Sequence, residues 1–150
     1  MAVRHQLIRR SPAAVWAVLA DPTAYGKWVV GPSISAPLDD AWPGVGARLR
    51  YFVRVGPWSL DGVTTVRHSE PGRELELEAT LKTLGTARIF LQLRPWGRET
   101  LVVCDEHPLR GIGGTLHNPA TEALLQVRHR GMLARLAKVV ERRHGGLRHA

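Results

Sequence analysis

The residues able to do chemistry are few and scattered. Seven histidines, His5, His68, His107, His117, His129, His144 and His149, form no His-Glu-x-x-His pair or comparable helical spacing. The single cysteine, Cys104, cannot build a thiolate zinc centre. No metal and no other cofactor is expected. Cys104 lies inside an apolar run and reads as a small core residue, because a nucleophilic thiol needs a base beside it and a lowered proton affinity. There is no Gly-x-Ser-x-Gly elbow. Gly111-Ile112-Gly113-Gly114 precedes a helix start, where amides attract anions, but the lysine and hydroxyl of a phosphate loop are missing. What remains is a set of isolated polar groups in apolar surroundings: Tyr51, His68, Glu106 and His129. A carboxylate or imidazole withdrawn from water can serve as a general acid or base, since burial and hydrogen bonding change its hold on a proton. The question becomes which of these groups share one enclosed space.

The elements that must position them follow in a distinctive order. Val3–Arg9 reads as a strand. Ser11-Pro12 starts a helix, with the serine as cap and proline at the first helical position. Asp21-Pro22 ends it, and Thr23–Trp28 reads as a second short helix. Ser33–Leu38 is a weak strand. Arg48–Val55 alternates, with Leu49, Tyr51, Val53 and Val55 on one face. Trp58–His68 follows, then Glu74–Leu81, in which leucines alternate with glutamates. Ala87, Ile89, Leu91 and Leu93 alternate with Arg88, Phe90, Gln92 and Arg94. Pro95-Trp96-Gly97-Arg98 turns into Thr100–His107. On that last run both faces hold apolar groups, so its parity stays open. Asn118-Pro119 opens a long amphipathic helix to about Arg143, with Leu125, Met132, Leu133, Leu136 and Val140 on one stripe. On a helical wheel His129 falls about 40° from Leu125 and Met132 about 20° to the other side, so His129 lies inside the stripe. Trp16, Trp28 and Trp58 read as wall or mouth residues; Trp42 and Trp96, among turn residues, read as partly exposed.

Composition narrows the class. The chain has 150 residues, 44% hydrophobic and 23% charged, enough for one sizeable core. No apolar run reaches the ~20 residues of a membrane span. Residues 1–6 lack a signal peptide's apolar stretch, and one cysteine forms no internal disulfide, so the expected location is cytoplasmic. The net charge is +8, and Gln126–Ala150 holds Arg128, Arg130, Arg135, Lys138, Arg142, Arg143 and Arg148 against Glu141 alone. No aromatic platform or DNA-reading motif accompanies this charge, so no nucleic-acid partner is expected and the stretch reads as a solvated helix face. The expected organisation is one domain over residues 1–143 and a flexible basic tail over 144–150.

One strand, two short helices, an antiparallel meander and a terminal amphipathic helix make an α+β protein of two layers. The expected architecture is a curved sheet of 6–7 strands wrapped around the C-terminal helix, with a cavity where the layers diverge. Ser11-Pro12-Ala13-Ala14-Val15-Trp16-Ala17-Val18-Leu19-Ala20-Asp21, then Tyr25, Trp28-Val29-Val30-Gly31, Trp42-Pro43-Gly44-Val45-Gly46, Gly56-Pro57-Trp58 and the Asn118-Pro119 helix resemble the SRPBCC superfamily. These are the START-like helix-grip proteins, including polyketide cyclases/dehydrases and lipid carriers. The resemblance is strongest to an actinobacterial Trp-Val-Val-Gly subgroup. It implies that Val102, Cys104 and Glu106 point inward and that Gly111–Gly114 borders the cavity mouth as a gate. That subgroup usually reads Arg-Asn-Arg-Glu where this chain has Arg128-His129-Arg130-Gly131.

The expected ligand-binding residues are Trp28, Tyr51, Val53, His68, Leu77, Ile89, Val102, Cys104, Glu106, Leu125, His129, Met132, Leu133 and Leu136. The expected function is binding of a hydrophobic small molecule, lipid or polyketide-like, between sheet and helix. The alternative is a cyclase or dehydratase in which Glu106, His129 and Tyr51 move protons. An edge strand could pair two chains into a homodimer.

Overall fold

The computed structural model describes residues 2–29, 34–55, 58–81, 85–110 and 131–143. Its strands are β1 (Ala2–Ile8), β2 (Ile34–Pro37), β3 (Arg48–Val55), β4 (Trp58–Glu70), β5 (Glu74–Leu81), β6 (Gly85–Trp96) and β7 (Glu99–Arg110). Helices α1 (Pro12–Leu19) and α2 (Tyr25–Val29) lie between β1 and β2. Residues 131–143 are helical and are called the C-terminal helix below. The seven strands make one antiparallel sheet in the order β1-β7-β6-β5-β4-β3-β2, open and curved. This is the curved antiparallel sheet expected of the alternating pattern, in the helix-grip arrangement that the resemblance implies. The seven residues 144–150, read as a basic tail, lie outside the described residues.

Local chemistry sets the boundaries of α1. Ser11 has extended backbone angles, and its Oγ accepts from the Ala14 N–H at 3.3 Å, satisfying one of the free amides of the first turn. Pro12 occupies the position where no N–H is needed. At the other end Asp21 Oδ1 accepts from the Thr23 N–H at 2.9 Å and from its hydroxyl at 2.6 Å, so the chain turns instead of continuing the helix. The Trp42 indole donates to the Leu19 carbonyl at 3.1 Å, taking up an acceptor the helix leaves free. Ser35 then ties α2 to β2: its hydroxyl donates to the Pro22 carbonyl at 2.7 Å and accepts from the Gly26 N–H at 2.9 Å.

The sheet separates its two faces by parity. Leu49 and Tyr51 on β3, Thr64 and Val66 on β4, Leu75, Leu77 and Ala79 on β5, Ile89, Leu91 and Leu93 on β6, and Val102 and Cys104 on β7 are all buried on the concave side. Met132, Leu133, Leu136, Ala137 and Val140 of the C-terminal helix join them in one cluster, with Val15, Val18 and Leu19 of α1. Each fully buried leucine or isoleucine is worth about 1.5–3 kcal/mol against exposure, which is why the alternation decides the register. The outer face is a cross-strand charge ladder. Arg67 pairs with Glu78 at 2.8 Å and Arg88 with the same glutamate at 3.7 Å, while Gln92 donates to Glu74 at 3.2 Å.

One residue breaks the parity. The β4–β5 register runs regularly to Val66↔Leu77 and resumes at His68↔Glu76, leaving Arg67 as the extra residue of a bulge. Arg67 and His68 therefore both face outward. The expected placement of His68 beside the concave residues is corrected here. Without the bulge it would follow Thr64 and Val66 inward; with it, His68 stacks on Phe90 at 6.5 Å and bonds Glu74 at 3.1 Å on the wet face.

Candidate functional site

The concave face brings most of the expected site residues together. Tyr51, Leu77, Ile89, Val102 and Cys104 are fully buried there, and Glu106 is 7% exposed on the same face of β7. The open parity of β7 is thereby resolved: Val102, Cys104 and Glu106 face in, while Leu101, Val103 and Asp105 alternate outward. Met132, Leu133 and Leu136 close over the face from the helix. Trp28 is buried from α2. His68 does not join them. Leu125, His129, the side chain of Val53 and the glycine segment Gly111–Gly114 lie outside the described residues.

Tyr25 is the hub of an aromatic cluster at this site. Its ring centroid lies 5.6 Å from Trp28, 6.2 Å from Trp42 and 5.4 Å from Tyr51, the first two edge-on. The Thr64 hydroxyl donates to the Tyr25 hydroxyl at 2.6 Å. The ring of Tyr51 lies over Gly62, its cross-strand partner on β4. Gly62 is required by this close approach: a Cβ there would stand 2.6 Å from both Cε1 and the hydroxyl oxygen of Tyr51. The buried Trp28 indole N–H has no hydrogen-bond partner among the described residues, an unusual condition for a buried donor.

Arg135, which periodicity alone marks as one basic residue among many, turns out to be structural. Its Nε donates to the Trp28 carbonyl at 3.2 Å and its Nη2 to the Val29 carbonyl at 2.8 Å. These are the last carbonyls of α2, where a cation is favoured by the exposed acceptors. Gly131, one turn earlier, leaves the space that the guanidinium occupies: a Cβ at residue 131 would meet Nη1 and lie 3.1 Å from Cζ. The available signal was the glycine four residues before the arginine. Further along, Glu141 accepts from the Arg9 N–H at 3.1 Å and Arg143 pairs with Asp21 at 2.9 Å. Burial pushes the Asp21 carboxyl up, but hydrogen bonds from Thr23 and Arg143 outweigh it and hold the group below its ordinary range.

Two cavities are lined by described residues. One, of about 380 Å³, lies at the rim between β1 (Val3, Arg4, His5, Gln6) and Leu133 and Ala134 of the C-terminal helix. It borders the concave face, since Arg4 is the cross-strand partner of Cys104 and Gln6 of Val102. Arg4 and Gln6 were not among the expected site residues, because β1 has no strong alternation to assign its faces. The other cavity, of about 460 Å³, lies on the outer face among Leu38, Arg50, Asp61, Val63 and Thr80.

A group of possible metal ligands forms at the β4–β5 hairpin, where atoms of His68, Glu70 and Glu74 lie within 4.8 Å of one another. The bulge creates it, so no sequence spacing announces it. Its members are already engaged: Glu74 with His68 and Gln92, Glu70 with Arg73 at 3.1 Å. Hydrogen bonds from Gln92 and His68 hold the Glu74 carboxyl below its ordinary range. Among the described residues, no helix is long and apolar enough to cross a membrane.

A family model described as polyketide cyclase / dehydrase and lipid transport matches residues 2–141. No curated protein sequence matches the chain. Among solved structures, the chain is similar to a protein from Chromobacterium violaceum at 16% identity and a TM-score of 0.71, over 93% of this chain and 96% of that one. It is similar to a protein from Arthrobacter aurescens at 16% identity and 0.73, over 93% and 85%. It also resembles the di-domain ARO/CYC StfQ from the steffimycin biosynthetic pathway at 13% identity and 0.72, over 97% of this chain and 46% of that one. At these identities the likeness is one of fold.

Proposed function

The chain belongs to the polyketide cyclase / dehydrase and lipid transport family, and from that premise we propose that it binds a hydrophobic small molecule, lipid or polyketide-like, between the concave face and the C-terminal helix. The observation that carries this reading is the rim cavity. It opens between Val3, Arg4, His5 and Gln6 of β1 and Leu133 and Ala134 of the helix. The ligand's apolar body would lie against Val3, Leu133 and Ala134, and its polar groups would be met by Arg4 and Gln6. Affinity would come chiefly from apolar area removed from water, about 25 cal/mol per Å² before ordering costs.

Native mass spectrometry of the purified chain, together with displacement of a fluorescent apolar probe, tests this. We expect a retained small molecule, and Ala134→Trp, which fills the cavity from an exposed position on the helix, to remove both it and probe binding while the fold is kept. A folded Ala134→Trp that binds as the wild type does would overturn the reading.

Glu106 favours a second reading, in which the bound molecule is also turned over. A carboxylate 7% exposed among apolar neighbours is costly unless it is partnered or protonated, and in that condition it can give or take a proton beside a ligand. Cyclisation or dehydration would then use Glu106, with Tyr51 and His129 as the further groups. The discriminating variant is Glu106→Gln: unchanged affinity with lost turnover favours the enzyme, unchanged behaviour in both favours the carrier.

A further inference from the structure

Several features that the ligand reading leaves unused collect at one end of the molecule. The β6–β7 hairpin carries Trp96, 60% exposed, at its tip. Trp96 pairs with Glu99 across a two-residue turn in which Gly97 takes φ +64, so the indole is held on paired backbone and not on a loose loop. Arg94 and Arg98 flank it, both exposed. β1 ends alongside: Ile8 faces Thr100, and the Thr100 hydroxyl donates to the Arg10 carbonyl at 2.8 Å, which brings Arg9 to the same end. The C-terminal helix finishes there too, because Arg10 Nη2 donates to the Glu141 carbonyl at 3.0 Å, with Arg142 next in the chain. Arg9, Arg94, Arg98 and Arg142 are exposed, and none of their guanidinium groups pairs with a carboxylate among the described residues, although the Glu141 carboxylate accepts from the Arg9 backbone N–H and Glu99 stands opposite Trp96. Four guanidinium groups thus gather at the end of the molecule that carries an exposed tryptophan, against two carboxylates, Glu99 and Glu141.

We propose that this end of the chain is a docking surface for an anionic lipid bilayer, with Trp96 entering the headgroup layer and the four arginines over it. Tryptophan is favoured at a membrane–water interface because its ring is amphipathic, and long arginine side chains keep their charge at the surface while their stems lie along apolar material. The shape fits a broad planar partner better than a nucleic acid. The surface is built from a hairpin tip, a strand end and a helix end, and it offers one aromatic ring where a single-strand binder lines a groove with several. The inference does not depend on what the interior binds.

The test is co-sedimentation of the full chain with vesicles of mixed phosphatidylserine and phosphatidylcholine, against vesicles of phosphatidylcholine alone, at two salt concentrations. Binding is expected to the anionic vesicles only and to weaken as salt rises. Arg94→Ala and Arg98→Ala are expected to weaken it about five-fold each, and Trp96→Ala to weaken it further. Arg50→Ala with Arg88→Ala removes the same charge from the outer sheet face and is expected to leave binding unchanged. Absence of binding, or equal loss in that control, overturns the proposal. So does binding to duplex DNA in the same salt without binding to the vesicles, which would make the surface a nucleic-acid one.

Discussion

The Tyr51 ring lies directly over the backbone of Gly62, so that two cross-strand partners share the space of one side chain. The fully buried tyrosine also packs against Tyr25, with ring centroids 5.4 Å apart. Gly62→Ala is therefore expected to lower stability by roughly 1–3 kcal/mol, the cost of overpacking a filled core. The loss should appear as a lower urea midpoint at unchanged slope. Tyr51→Leu in the Gly62→Ala background should recover part of it; a fully additive pair would count against the contact.

Ser35 is 6% exposed and bonds both Pro22 and Gly26. Ser35→Ala removes both contacts and leaves the Pro22 carbonyl without this donor. The expected loss is about 1–3 kcal/mol, read by chemical denaturation. Ser35→Thr keeps the hydroxyl and should retain more of the stability.

Gly131 and Arg135 are expected to couple. On helix propensity alone Gly131→Ala would gain about 1 kcal/mol. Here the new methyl group meets the guanidinium that holds the Trp28 and Val29 carbonyls. Gly131→Ala should thus be more favourable in an Arg135→Ala background than in the wild type. A double-mutant cycle by urea denaturation measures this, and independence of the two changes would dismiss the clamp.

Asp21 sets a pH dependence whose sign follows from its lowered carboxyl. A group that holds its proton less tightly when folded stabilises the fold fully above its ordinary value of 3.8 and loses that contribution as pH falls from there through the folded value. Asp21→Asn should flatten this part of the acid limb. Arg143→Met, which removes one of the bonds that lower it, should move the Asp21 titration upward by NMR.

Much of the fold was legible because burial alternates with charge. In Glu74–Leu81 the leucines and glutamates define the strand and its wet face together, and the observed bounds are the same. The Ser11-Pro12 start was equally clear, because cap and first helical residue are both chemically determined. The fate of His68 was not legible. A bulge arises from pairing with β5 and leaves no mark on β4's own residues, so simple alternation carries His68 to the wrong side. Pro95 and Trp96 read as turn but remain paired, since the turn needs only Gly97 and Arg98. Arg135 was illegible for a different reason: its partners are carbonyls on α2, which no side-chain pattern reveals.

The fastening of the C-terminal helix has a consequence for how the chain is made. Its contacts reach back over great sequence distances: from Arg135 to Val29, from Glu141 to Arg9 and from Arg143 to Asp21. The helix also follows all seven described strands in chain order. During synthesis the sheet can therefore assemble while its greasy side has no cover, and closing it waits on a segment that leaves the ribosome after all seven strands. Loop closure over such spans is slow, and uncovered apolar sheet is prone to self-association. Chaperone demand in the cell should then concentrate in the interval before this helix docks.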